Sequence, residues 1–297
     1  MSTGLVIAAH GRRGLLEDPD GSVRPYLVAS RQLQVVCGDQ VCWQIPPGAD
    51  AAVVERILER RNMLRRQRPG GGETELLAAN LSHLAVVIAP VPEPDYFLID
   101  RYLCAAELMA ASAAVVVNKC DLGRGDAAEI AGYRALGYAV IETSTLSGSG
   151  MEALLSWLGT GIGILVGQSG VGKSSLLNRL VPAAGLAVGQ VSVGSGLGRH
   201  TTTASIMHRL ASGGRLIDTP GVRGFIPDTG EARRVQLGFR EILQLAGGCR
   251  FADCSHQREP GCAVLAALAE GRISARRHAS YRRILLDAEQ TSLDRNR

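Results

Sequence analysis

The chain has 297 residues, 32 of them Lys or Arg against 28 Asp or Glu, with a formal net charge of +4 and 46% hydrophobic residues. That balance excludes global disorder, which needs low hydrophobicity and high net charge. The longest apolar stretches, such as residues 84–91, fall far short of the ~20 residues that a membrane span needs. No basic region precedes the first apolar run, so a secretory signal is not expected. Seven cysteines, three of them in one short segment, point to metal in a reducing cytosol and away from a disulfide framework. Among the basic residues only Lys119 and Lys173 are lysine. In an arginine-biased chain, a retained lysine marks a position that needs a compact ammonium on a flexible stem.

Residues 1–68 read as short strands separated by turn signals, the pattern of a small β-barrel. Residues 4–9 and 24–30 are apolar runs. Residues 34–37 and 41–45 flank Gly38-Asp39, the spacing of a hairpin, and residues 52–58 form a further strand or helix. An arginine-rich stretch follows (Arg56, Arg60, Arg61, Arg65, Arg66, Arg68) and ends in Pro69-Gly70-Gly71-Gly72, a linker composition.

From residue 73 the pattern alternates. Strands are expected at 84–89, 113–117, 137–142, 163–166 and 215–217, and helices at 100–111, 151–158 and from 174 to 180. Such alternation implies a mostly parallel sheet covered on both faces. The last seventy or so residues, a span that suits one small domain, read as mostly helical, with Cys and His set among them.

Gly167-Gln168-Ser169-Gly170-Val171-Gly172-Lys173-Ser174 fits the P-loop pattern between a strand and a helix. Its glycines let successive N–H groups turn inward onto phosphate oxygens, and the helix adds its N-terminal dipole. Lys173 is the candidate for the β- and γ-phosphates and Ser174 for Mg²⁺, with Ser175 beside it. Asn118-Lys119-Cys120-Asp121 follows a strand and matches Asn-Lys-x-Asp. A carboxylate at Asp121 can accept from guanine N1–H and its 2-amino group. Adenine lacks both donors and would leave the carboxylate unpaired. Asn118 can bridge the base edge to the neighbouring loop, and the Lys119 stem can lie along the base. Thr143-Ser144-Thr145 follows the next strand and fits a loop whose N–H meets guanine O6, although an ordinary Ser/Thr turn has the same composition.

Asp218-Thr219-Pro220-Gly221 ends a strand as a Walker B or switch II segment does, with Asp218 on the Mg²⁺ side and the Gly221 N–H on the γ-phosphate. Gly198-Arg199-His200-Thr201-Thr202-Thr203 fits switch I, and Thr202 is the expected Mg²⁺ threonine. Ras-like proteins place a water-orienting Gln after the switch II Gly. Here that position is Val222, so His200 is the candidate to orient the attacking water, and Arg199 could neutralise transition-state charge. The motif order is permuted: the guanine motifs precede the P-loop, which precedes both switches. Ends of compact domains often lie close, so this rewiring can preserve a site. It sends switch II directly into the C-terminal region, which could then move as a lever.

Cys249, Cys254, His256 and Cys262 give Cys-x₄-Cys-x-His-x₅-Cys, a closed donor set suited to one structural Zn²⁺. Two basic clusters, residues 56–68 and 272–283, could meet RNA phosphates. Charge alone allows a solvated arginine face equally well.

Together the guanine motif, P-loop, switch segments and Cys/His cluster resemble the RsgA family of circularly permuted bacterial GTPases that depend on the small ribosomal subunit. The resemblance spans nearly the whole chain. It implies an OB-fold RNA-binding barrel over 1–70, a circularly permuted GTPase domain over 73–228, and a helical zinc-binding domain over 229–297. It further implies a cytoplasmic monomer that binds GTP and GDP and contacts the small subunit and its 16S rRNA. That protein would assist late subunit maturation through subunit-stimulated hydrolysis. The competing expectation is a GTP-dependent RNA-binding switch on another RNA or partner with little hydrolysis, which Val222 makes conceivable.

Overall fold

The computed structural model describes residues 1–67, 74–123, 125–181, 205–218 and 231–295. Five strands open the chain: β1 (Ser2–His10), β2 (Arg13–Glu17), β3 (Val23–Val28), β4 (Gln40–Gln44) and β5 (Ala52–Ile57). They close in the order β1-β2-β3-β5-β4 and back to β1, with β3–β5 parallel and the other pairs antiparallel. This is a closed five-stranded barrel of the OB-fold type. Its interior holds Val6, Leu16, Tyr26, Val28, Val41, Trp43 and Val54.

One expectation for this region is corrected. Residues 34–37 do not pair with β4, whose neighbours are β1 and β5. A buried polar turn holds them instead. The Asp39 carboxylate accepts from the Val36 N–H at 2.9 Å and from Arg60 at 2.6 and 2.8 Å. Gly38 sits at φ +93°, where a Cβ would lie 2.1 Å from the Ala79 carbonyl, so only glycine fits. The glycine stretch 69–72 lies outside the described residues, but it joins β6 (Met63–Gln67) to β7 (Thr74–Ala79), which pair antiparallel.

The second unit contains β8 (His83–Ile88), α1 (Tyr96–Leu108), β9 (Ser112–Val117), α2 (Ala127–Ala135), β10 (Ala139–Glu142), α3 (Met151–Leu158), β11 (Ile162–Val166), α4 (Lys173–Leu180), β12 (Ser205–Arg209) and β13 (Arg215–Asp218). β10-β9-β8-β11-β13 are parallel and β12 is antiparallel to β13. Period-two geometry puts Leu84, Val86 and Ile88 on the face covered by α1 and α2, and Ala85 and Val87 on the face covered by α3 and α4. Both faces are buried, hence the unbroken apolar run.

The same sheet continues into the barrel. β1 pairs with β12 through Ala8–Ile206 and Ala9–Ser205. Glu17 of β2 accepts from Arg215 of β13 at 2.5 and 2.9 Å and from Arg209 of β12 at 3.2 Å. Burial opposes the charge on Glu17, but the hydrogen bonds from Arg215 and Arg209 outweigh it and hold its carboxyl below the usual range.

The last unit has a 3-10 helix (Ala232–Gly238), α5 (Arg240–Ala246), α6 (Ala263–Ala269) and α7 (Ala275–Arg295). Val235, Phe239, Ile242, Val264, Tyr281 and Ile284 form its core, against Cys104 of α1. A polar network locks α7 to the second unit. Asp100 of α1 is fully buried and accepts from Arg277 at 2.7 Å, Arg276 at 2.6 Å and the Tyr133 hydroxyl at 2.7 Å. Arg277 also bridges Glu241 at 2.8 and 3.1 Å, and Arg276 reaches Glu129 at 2.8 Å. Some of the arginines expected to face RNA are thus paired with carboxylates of the fold. Arg276 and Arg277 hold the units together, Arg60 neutralises Asp39, and Arg66 pairs with Glu75.

Candidate nucleotide site and metal centre

β11 delivers the chain into the glycine loop at the centre of the sheet. Gly167 has φ +137°, and a Cβ there would stand 2.2 Å from the Val87 carbonyl. Gly172 has φ +94°, and a Cβ would stand 2.3 Å from Asn118 Nδ2. These glycines let the loop close on the ends of β8 and β9. Lys173 opens α4 and donates to the Gly167 carbonyl at 2.8 Å and the Gln168 carbonyl at 2.6 Å. Its ammonium therefore lies back across the loop. Ser174 and Ser175 are exposed in the first turn of α4, and Ser169 and Gly170 are exposed at the loop's crest.

The guanine motif meets this loop from the next strand but one. Asn118 is fully buried just past β9 and donates through Nδ2 to the Val171 carbonyl at 2.9 Å. Lys119 takes a left-handed φ of 59° and donates to the carbonyls of Gly170 at 2.7 Å and Val91 at 2.9 Å. Thr143 donates to Asn118 Oδ1 at 3.2 Å, and the Cys120 N–H donates to the Thr143 carbonyl at 3.0 Å. The Ser144 hydroxyl donates to the Asp121 carboxylate and in turn accepts from the Ser147 N–H at 3.2 Å. Thr145 is half-buried, and its carbonyl receives Arg179 at 3.3 Å. Three segments far apart in sequence are thus brought together at one end of the sheet, with Asp121 left exposed on the outer edge.

Sequence reasoning missed a further wall of this site. The Gln168 amide accepts from the Asp95 N–H at 2.9 Å and donates to the Glu93 carbonyl at 3.3 Å, tying the P-loop to the N-cap of α1. The proline-rich run 90–94 between β8 and α1 was the available signal.

Asp218 ends β13, one strand from the P-loop strand. Burial pushes its carboxyl upward, and His208 on the paired strand works against that rise. A nearby divalent cation would favour the ionised form. Gly198, Arg199, His200, Thr201, Thr202, Thr203, Thr219, Gly221 and Val222 lie outside the described residues.

Cys249, Cys254, His256 and Cys262 form the metal candidate, with their donor atoms all within 4.8 Å of one another. Cys249 and Cys262 sulfurs are 3.8 Å apart, and His256 Nδ1 lies 3.5 Å from the first and 3.4 Å from the second. A tetrahedron with arms of ~2.3 Å has edges of ~3.8 Å, so these four residues fit one tetrahedral ion. Burial pushes the Cys254 thiol up to about 12, and the adjacent Cys262 and Cys249 sulfurs add to the rise. Three crowded thiolates need a cation to stay ionised together, and a bound metal supplies that charge. Among the described residues no helix is long and apolar enough to cross a membrane.

Known proteins share this arrangement. The sequence model of the RsgA GTPase family matches residues 57–226. A small ribosomal subunit biogenesis GTPase RsgA from Azotobacter vinelandii is 42% identical, over 95% of this chain and 84% of its own length. One of the same name from Pseudomonas aeruginosa is 41% identical, over 97% of this chain and 86% of its own length. Among solved structures, YjeQ from Thermotoga maritima superposes with a TM-score of 0.73 at 28% identity, covering 97% of this chain and 98% of its own. YloQ, described as a circularly permuted GTPase, shares the fold with a TM-score of 0.72 at 22% identity, covering 98% and 96%. A P-loop and a guanine motif packed together in permuted order, matched by relatives along nearly their full length, have one consistent explanation: this chain belongs to the RsgA family of GTPases, hydrolases that act on GTP.

Proposed function

We propose that this protein binds the small ribosomal subunit and assists its maturation, hydrolysing GTP when docked. The observation that carries the nucleotide part is the convergence of Asn118 and Lys119 on the P-loop carbonyls of Val171 and Gly170. The printed names of its relatives support the ribosomal part, since those proteins are called small ribosomal subunit biogenesis GTPases.

In this reading Asp121 reads the guanine edge, supported by Ser144, while Asn118 and Lys119 brace the base against the loop. Thr143, Ser144 and Thr145 border guanine O6. The backbone of Gly167, Gln168, Ser169, Gly170, Val171, Gly172 and Lys173, with Ser175, cradles the phosphates. Lys173 swings from its two carbonyls onto the β- and γ-oxygens. Ser174, Thr202 and Asp218 hold Mg²⁺, which supplies charge neutralisation at the phosphates, and the Gly221 N–H faces the γ-phosphate. His200 orients the attacking water. Zn²⁺ in the Cys249, Cys254, His256 and Cys262 set is structural, because four protein donors leave no open position.

The division into a barrel over 1–70, a GTPase domain over 73–228 and a zinc domain over 229–297 belongs to this reading, as do monomeric state, cytoplasmic location and contact with 16S rRNA. The arginines still exposed include Arg12, Arg13 and Arg31 on the barrel and Arg282 and Arg283 on α7. They offer phosphate contacts in place of the committed ones.

Two outcomes test the reading. Co-sedimentation of the protein with purified small subunits weakens steeply as salt rises, because each phosphate contact releases counterions. Salt-indifferent binding contradicts the rRNA contact. His200→Ala keeps wild-type GTP affinity but loses about a hundredfold of subunit-stimulated turnover, within the range of lost proton-transfer and water-positioning groups. Unchanged stimulated kcat removes His200 from the mechanism.

A further inference from the structure

The imidazole of His256 is held from two sides. Its Nδ1 faces the sulfurs of Cys249 and Cys262 at 3.5 and 3.4 Å. Its Nε2 lies 3.0 Å from Gln236 Oε1. A neutral imidazole that ligates through Nδ1 carries its proton on Nε2, and that proton then points at the Gln236 carbonyl oxygen. The backbone of His256 is fixed as well. It has a left-handed φ of 57°, and its carbonyl accepts from His278 Nε2 at 2.9 Å.

Gln236 sits on a support that cannot shift easily. The 3-10 helix Ala232–Gly238 presses on α1, where a Cβ at Gly238 would stand 2.3 Å from Cys104 Sγ and 3.0 Å from the Cys104 backbone. The Val235 carbonyl lies 4.0 Å from the same sulfur. The chain enters this helix from the segment that follows Asp218.

We propose that Gln236 is a positioning residue of the metal centre, selecting the Nδ1 face of His256 as ligand and anchoring that ligand to α1 of the nucleotide-binding unit. The inference rests on the metal reading above. Hydrogen bonds to the far nitrogen of a metal-bound histidine fix its tautomer and raise its basicity. Here the partner comes from the packed helix and not from the Cys/His loop, so metal affinity depends on how that helix packs against the loop.

The full-length protein is titrated with Zn²⁺ against a chromophoric chelator, with GDP affinity as the check on folding. Wild type binds one Zn²⁺. Gln236→Leu lowers zinc affinity about 10- to 100-fold and leaves GDP affinity unchanged. Gln236→Glu, which keeps an acceptor, retains wild-type zinc affinity. Equal zinc affinity for wild type and Gln236→Leu overturns the inference while the metal reading stands. A wild-type protein that takes up no zinc overturns both. Nitrogen NMR of the zinc-loaded wild type tests the same point without a variant. A protonated Nε2 and a metal-bound Nδ1 on His256 are expected, and ligation through Nε2 overturns the inference.

Discussion

Asp121→Asn lowers GTP affinity by at least about a hundredfold and shifts preference towards xanthosine triphosphate. The carboxylate can accept two hydrogen bonds from guanine, and each charge-assisted bond contributes about 1.5–3 kcal/mol. Replacing them with one neutral acceptor and one opposed donor costs about 3 kcal/mol or more, which is two powers of ten in Kd. Xanthine presents a carbonyl where guanine presents its amino group, so the new carboxamide N–H gains a partner there. Ser144 should hold the replacement in place, since its hydroxyl already donates to Asp121 and is fixed by the Ser147 N–H. The check is equilibrium binding of both nucleotides. Unchanged GTP affinity would remove Asp121 from base recognition.

The second large effect lies away from the nucleotide. Asp100→Ala destabilises the protein by about 3–5 kcal/mol, the range for breaking one partner of a buried ion cluster. Arg277 has only 3% of its side chain exposed and would keep Glu241 alone. Arg276 would keep Glu129, and the Tyr133 hydroxyl would lose its acceptor. Urea unfolding should show a lower midpoint. Limited proteolysis should cut sooner between α7 and the rest of the chain. Asp100→Asn, which keeps an acceptor without the charge, should fall in between. A midpoint unmoved by Asp100→Ala would mean that α7 is held by apolar packing alone.

The contrast between these two residues explains what the sequence made readable. Asp121 belongs to four consecutive residues whose chemistry is local, so the motif is legible without coordinates. The same holds for the P-loop and for Cys249, Cys254, His256 and Cys262, which lie within fourteen residues. Asp100 finds its partners 176 and 177 positions away, beyond any local pattern. Its one signal was a carboxylate inside the apolar run Phe97-Leu98-Ile99-Asp100, which a buried charge needs a partner to justify.

The hairpin expected at Gly38-Asp39 failed for a related reason. A turn composition was read correctly, but Arg60 and the approach of Ala79 set its geometry. Within the arginine clusters a sequence does not show which cations already have counter-ions, as Arg60, Arg276 and Arg277 do. α2, β7 and β12 were missed because short or interrupted apolar patterns carry little periodicity. The pairing of β1 with β12, which joins the barrel to the nucleotide-binding sheet, leaves no local trace at all.

The most direct test is inorganic phosphate release by the purified protein from GTP, with and without purified small ribosomal subunits, and with ATP as the competing substrate. Slow release from GTP alone, a marked rise on adding subunits, and no effect of excess ATP are the predicted results. A rate from GTP that subunits do not change, or one that ATP suppresses, would contradict a subunit-triggered guanine nucleotide hydrolase.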